Sequence, residues 1–285
     1  MNPVWLPLVA AQGLWLRSTL QLATAPGGGI SGAVPHTPAG PSDGPAPGGP
    51  SAGHASSGPS EGHVSDSHAS GASPGGHASG ASPGGHAPAD PANPLRLAVL
   101  GDSTAAGCGV TGDEQAFAAS FAHELATRTA QPVDWQVVGQ FGATSRRIRH
   151  RLVPRLNPGL DLVVLLAGAN DVMARRDPAA WRDDLTGILT GVAPRTRRTI
   201  VVGIPPFTRF PSIPVRLARY LAERADALNA VSAEVCAQDP ERTTFIGPPT
   251  SVPPPEFFGH DRFHPSSAGY RLWAEDVATR LLPTP

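Results

Sequence analysis

The amino-acid sequence predicts a three-layer α/β domain built on a doubly wound parallel sheet, and three observations carry that prediction. Downstream of Asn93, short apolar stretches of strand length alternate with longer stretches whose apolar residues recur at helical spacing. One short stretch, Leu162-Val163-Val164-Leu165-Leu166, is apolar on both faces, as a strand covered on both sides of a parallel sheet must be. Another, Leu95–Leu100, stops at Gly101-Asp102-Ser103 and so offers a hydroxyl at the carboxyl end of a strand, where open α/β sheets bind ligands.

Composition bounds the domain. The chain has 285 residues with 33 Pro and 32 Gly, about half of which fall in the first third. Residues 94–283, about 190 residues, form the expected domain, a normal size for one core. Residues 26–93 are mostly Gly, Pro, Ser, Ala and His, with the block at His68 repeated from His77. Such a tract buries too little apolar surface to offset its ordering entropy, so it reads as a disordered linker with an end-to-end distance of about 45 Å. Six of the ten His lie there, too widely spaced and too poor in Cys or carboxylates to make a defined metal site.

Residues 1–25 form an apolar N-terminal segment. Val4–Leu16 resembles a signal-peptide core but lacks a preceding basic residue, is interrupted by Gln12 and Gly13, and is shorter than the roughly twenty residues a spanning helix needs. Leu22-Ala23-Thr24-Ala25 has the small residues of a cleavage site, with the unfavourable Pro26 after it. The expectation is an interfacial or docking segment, with weak membrane-surface contact through residues 4–16, in a protein kept inside the cell or at its membrane.

The formal net charge is −1 and every basic residue is Arg, which argues against a nucleic-acid partner. Two cysteines, Cys108 and Cys236, make neither a disulfide framework nor a Cys-rich metal site, and Cys108 reads as a small buried side chain. No cofactor and no metal are expected.

Taken in order, the strand candidates are Leu95–Leu100, Asp134–Val138, Leu162–Ala167, Thr199–Ile204 and Thr243–Ile246. Leu217, Leu221, Ala225, Leu228, Val231 and Val235 mark one core-facing helix, and Tyr270, Trp273, Ala274, Val277 and Leu281 mark the last. A flavodoxin-like order, 2-1-3-4-5, sets the carboxyl ends of the first and third strands side by side. Ser103 follows one and Asn170 the other.

A serine hydroxyl needs a base within hydrogen-bond reach and a third group to orient that base. Asp261 and His264, with two residues between them before Pro265 opens the last helix, fit: the carboxylate reaches Nδ1 and leaves Nε2 outward. His260 adjoins Asp261 directly, and adjacent side chains diverge. An oxyanion requires donors, and the Ser103 N–H, the Gly142 N–H and the Asn170 amide are candidates. Read alone, Gly142 is a turn glycine and Asn170 a helix N-cap. Their joint position, each after a different parallel strand, is what those readings leave unexplained.

On these residues the chain from Leu95 to Leu282 resembles the SGNH hydrolases, the serine esterases also called the GDSL family. The matching blocks are Gly-Asp-Ser103-Thr-Ala-Ala-Gly, Gly142, Gly-Ala-Asn170-Asp, and Asp261-x-x-His264-Pro. The resemblance implies Ser103 as nucleophile, His264 as base and acid, Asp261 as its orienter, and Ser103, Gly142 and Asn170 as the oxyanion hole. It departs at Thr104, where the family name implies Leu, at Gly139-Gln140-Phe141, and at Arg262, where Gly is frequent. The Gly-x-Ser-x-Gly elbow of α/β-hydrolases is absent at Ser103.

The function expected is hydrolysis of small acyl esters through an acyl-serine intermediate. A thioesterase or carbohydrate deacetylase of the same mechanism, or a binding module without turnover, is the alternative. Pro205–Phe210, after the fourth strand, is the expected pocket wall. Arg146, Arg147, Arg149 and Arg151 read as a solvated helix surface around a buried stripe of Ile148, Leu152 and Leu156.

Overall fold

Six strands form one sheet in the order β1-β3-β2-β4-β5-β6. A computed structural model describes residues 31–35 and 93–282, all within the unit made of residues 1–36 and 89–285. The strands are β1 (Ser31–Val34), β2 (Leu95–Gly101), β3 (Val133–Gly139), β4 (Leu160–Leu166), β5 (Thr196–Val202) and β6 (Thr243–Ile246). The five from β2 onward pair in parallel, and their order is the predicted 2-1-3-4-5.

Strand alternation sends successive residues to opposite faces, and two cores result. Leu97, Val99, Leu162, Val164 and Leu166 face one side, where they pack with α1 (Phe117–Thr129) and the last helix, α5 (Ser267–Leu281). Ala98, Leu100, Val163, Leu165 and Val201 face the other, under the helical stretch 145–155, α3 (Pro178–Val192) and α4 (Val215–Cys236). All six stripe residues of α4 are buried; of the stripe on α5 only Leu281 is partly exposed. Ile148, Leu152 and Leu156 are buried as well, while Arg146, Arg147 and Arg151 stay exposed and Arg149 reaches Asp184.

One boundary is corrected. The tract expected to be a linker over residues 26–93 contributes β1, which runs antiparallel to β3 with Ser31 opposite Gln136 and Val34 opposite Val133. Ser-Gly-Ala-Val has little strand propensity, so no local signal marks it. The strand exists because the edge of β3 presents unpaired backbone groups and because Gly32 has no side chain: a Cβ there would sit 2.6 Å from the Trp135 indole. The apolar segment 1–25, its proposed membrane contact, and the His-containing residues 36–92 lie outside the described residues. Among the described residues no helix is long and apolar enough to cross a membrane.

A buried polar pair fixes the loop after β5. Asn229, in the apolar stripe of α4, accepts from the Ile204 N–H at 2.8 Å and donates to the Ile204 carbonyl at 3.0 Å. Ile204 begins the segment running into Pro205–Phe210, so a helix side chain sets the exit direction of a strand. Asn229→Ala is expected to leave two buried backbone groups unpaired and to cost about 1–3 kcal/mol per orphaned group, read as a lowered urea midpoint at unchanged slope. An unchanged midpoint would show that the loop is held by other contacts.

Candidate active site

The turn after β2 is forced by close packing. A Cβ on Gly101 would stand 1.9 Å from the Leu166 carbonyl oxygen of β4, which instead accepts the Asp102 N–H at 3.0 Å. The chain then bends so that the Cys108 N–H donates to the Ser103 carbonyl at 2.9 Å. Asp102 is buried and its Oδ1 accepts both the Thr104 N–H at 3.0 Å and the Thr104 hydroxyl at 2.8 Å. That hydroxyl gives the departure from Leu at this position a physical role.

The loop 257–266 brings the other side chains across. Gly259 N–H donates to the His264 carbonyl at 2.8 Å and Ser266 N–H to that of Phe257 at 2.8 Å, closing the loop on itself. Pro265 lies in this loop rather than opening the helix; Ser266 is the N-cap of α5 and its Oγ accepts from the Gly269 N–H at 3.1 Å. Asp261 Oδ1 accepts the Phe263 and His264 amides, both at 2.9 Å. Its Oδ2 is 2.7 Å from His264 Nδ1, and His264 Nε2 is 3.0 Å from Ser103 Oγ. Nδ1–H donating to the carboxylate leaves Nε2 as acceptor for the serine hydroxyl. His260 is exposed and outside this run. Arg262 has φ of 55°, a left-handed conformation that Gly adopts without strain.

Gly142 and Asn170 converge from two further loops. Gly142 has φ of 68° with open space where a Cβ would be, so its backbone conformation and not crowding calls for glycine. Asn170 is not an N-cap: Gly168, whose φ is 116°, caps the short helix α2 (Ala169–Met173), and Asn170 lies inside it. The Asn170 amide instead donates to the Ala143 carbonyl at 3.0 Å, tying this loop to that of Gly142. Among the described residues, neither the Ser103 nor the Gly142 N–H donates to a protein acceptor.

Sequence reasoning missed a supporting pair. Asp171, fully buried, accepts the Ser145 N–H at 2.9 Å and the Ser145 hydroxyl at 2.6 Å. It joins α2 to the helical stretch after Gly142, and burial pushes its carboxyl above the ordinary range. The available signal was an acidic residue inside an otherwise apolar neighbourhood. Tyr270 was read as a core residue, yet its hydroxyl also donates to the Cys108 carbonyl at 2.7 Å and clamps α5 to the Ser103 turn.

Ser103, Asn170 and His264 open on a cavity of about 250 Å³. Pro205, Pro206, Phe207, Arg209 and Phe210 form one wall, as expected. Phe210 packs against Phe207, Phe258 and Phe263, with ring centroids 5.3, 5.5 and 5.1 Å away, and Phe263 meets the His264 ring edge-on. Burial pushes the Cys108 thiol up to about 12 and that of Cys236 to about 11, so neither is a thiolate nucleophile. Among the described residues no group of three or more His, Cys, Asp or Glu side chains is arranged to hold a metal.

The profile of the GDSL-like Lipase/Acylhydrolase family matches residues 99–272. A GDSL-like esterase of Mycobacterium tuberculosis is 25% identical over 194 residues, which are 64% of this chain and 60% of the relative. The chain thus spans less than two thirds of that relative's length. Among solved structures, an enzyme titled LAE5, from the metagenome of Lake Arreo, Spain, superposes with a TM-score of 0.50 at 19% identity, over 67% of this chain and 97% of its own. That likeness is one of fold.

Asp102 supplies a test of the site's electrostatics. Burial raises its carboxyl from 3.8 to about 6 against the opposing bonds from Thr104. The folded protein therefore keeps a proton that the unfolded chain releases, and the stability this confers is complete below pH 4 and lost as pH rises through 6. Asp102→Asn is expected to be more stable than the parent at pH 8 by up to about 3 kcal/mol, with the margin vanishing toward pH 4. Urea unfolding of both proteins at pH 4, 6 and 8 checks this; a margin independent of pH would contradict it.

Proposed function

The chain belongs to the GDSL-like lipase/acylhydrolase family, and from that premise we propose that it is a carboxylic-ester hydrolase working through an acyl-Ser103 intermediate. The observation that carries this reading is the unbroken hydrogen-bonded run from Ser103 Oγ through His264 to Asp261.

Ser103 Oγ attacks the ester carbonyl carbon as His264 Nε2 takes its proton, and Asp261 stabilises the imidazolium through Nδ1–H. The carbonyl oxygen becomes an oxyanion, accepting from the Ser103 and Gly142 N–H groups and from the second amide hydrogen of Asn170. Collapse breaks the bond to the alcohol oxygen, which leaves with the proton from Nε2. Water then attacks the acyl-serine carbon, gives a proton to Nε2, and the acid departs as Ser103 Oγ recovers that proton. The apolar cavity lodges the organic part of the ester. Its aromatic and proline lining supports an acyl ester over a sugar acetate, because it offers few partners for hydroxyl groups.

With p-nitrophenyl esters, Ser103→Ala is expected to abolish turnover in a folded protein, and Asn170→Ala to lower kcat by about 10²–10³, the usual effect of losing one oxyanion donor. Lengthening the acyl chain is expected to raise kcat/KM by about fourfold per methylene, the equivalent of about 0.8 kcal/mol of buried CH₂, until the cavity is filled. A flat response from acetate upward would contradict an apolar acyl site.

A further inference from the structure

The large apolar side chains that remain exposed are not scattered. Among the described residues they are Phe141, Met173, Val215, Val252 and Leu272, and four of the five surround one opening. Met173 and Leu272 line the cavity into which Ser103 and His264 face. Phe141, 49% exposed, lies with its ring centroid 6.3 Å from that of His264. Val252, 75% exposed, stands between Ser251 and Pro253, both cavity-lining, in a lip holding five prolines between Pro248 and Pro255. Proline fixes φ and lowers the entropy lost on holding such a lip in place.

We propose that this rim docks on an anionic lipid–water interface, which delivers ester to the cavity; the inference rests on the esterase reading above. Two observations select a lipid surface as the occupant. The apolar rim is continuous with the apolar cavity, so an acyl chain passes from lipid to Ser103 without crossing water, whereas a protein covering the rim would close the cavity. The charge is also complementary. Arg262 is exposed next to Phe263 in the chain, Arg175 is exposed two residues after Met173, and Arg209 lines the cavity. Of the acidic residues on the same segments, Asp276 is held by Arg280 and Asp177 accepts the Ala179 N–H, while Glu256 and Glu275 are exposed. Arginines beside inserted apolar side chains suit an anionic headgroup layer.

The test uses the full chain, so that residues 1–25 are the same in every protein compared. Co-sedimentation is measured with phosphatidylcholine vesicles containing 30% phosphatidylglycerol, and hydrolysis of p-nitrophenyl acetate is measured in lipid-free buffer. The expected result is that Val252→Asp lowers vesicle partition at least tenfold, Val252→Leu preserves or raises it, and all three proteins hydrolyse the soluble ester within twofold of one another. Partition that ignores Val252→Asp, or no partition of the parent chain, overturns the proposal. So does self-association that Val252→Asp abolishes, since the rim would then meet a second copy. The soluble-ester arm is independent: loss of turnover in the parent would strike the catalytic reading, whereas turnover without partition would strike only the docking.

Discussion

Everything at the site depends on pinning the loop 257–266 against the turn after β2. The hydrogen bond between His264 Nε2 and Ser103 Oγ spans 161 positions of sequence, and a displacement of an ångström would break it. The pinning is built from backbone proximity. Gly109, with φ of 107°, lets the Pro265 carbonyl approach to where a Cβ would be only 2.3 Å away. Tyr270 holds the neighbouring Cys108 carbonyl from α5, and Asp261 braces its own loop through two amides before it meets the imidazole. The rigidity of the His264 ring thus comes from short-range contacts of chain with chain, and the fold's task is to deliver the two segments to one place.

Three carboxylates sit within this small region and differ by their partners. Asp261 faces an imidazole and two amides, Asp102 faces the Thr104 hydroxyl and amide, and Asp171 faces the Ser145 hydroxyl and amide. Burial raises Asp102 and Asp171 alike, because desolvation disfavours the charged form more than hydroxyl and amide donors restore it. In the proposed mechanism Asp261 alone touches the base. The other two hold loops: Asp102 shapes the turn at Ser103, and Asp171 couples the Asn170 helix to the segment after Gly142.

Much of this was legible in the sequence, and the reason is periodicity. The unbroken apolar run of β4 implied its burial on both faces, and strand–helix alternation implied a parallel sheet, so Ser103, Gly142 and Asn170 fell at strand ends without knowledge of any contact. Asp261 and His264 were legible because a spacing of three can join a carboxylate to Nδ1 within one short loop. What stayed hidden was long-range. The strand Ser31–Val34 has little propensity of its own and is created by an open sheet edge and the Trp135 indole. Asn229 reads as a blemish in an apolar stripe until the backbone of Ile204 is seen opposite it. The pairing of Ser145 with Asp171 joins segments that no periodicity connects.

The central claim is that Ser103, activated by His264, becomes acylated. The most direct measurement is covalent labelling of the folded 285-residue chain with a fluorophosphonate, followed by intact mass and peptide mapping. The account predicts one adduct per chain, on Ser103, forming rapidly in the parent and at a rate reduced by several orders of magnitude in His264→Ala. A label on another residue, or labelling of Ser103 at the same rate without His264, would contradict it.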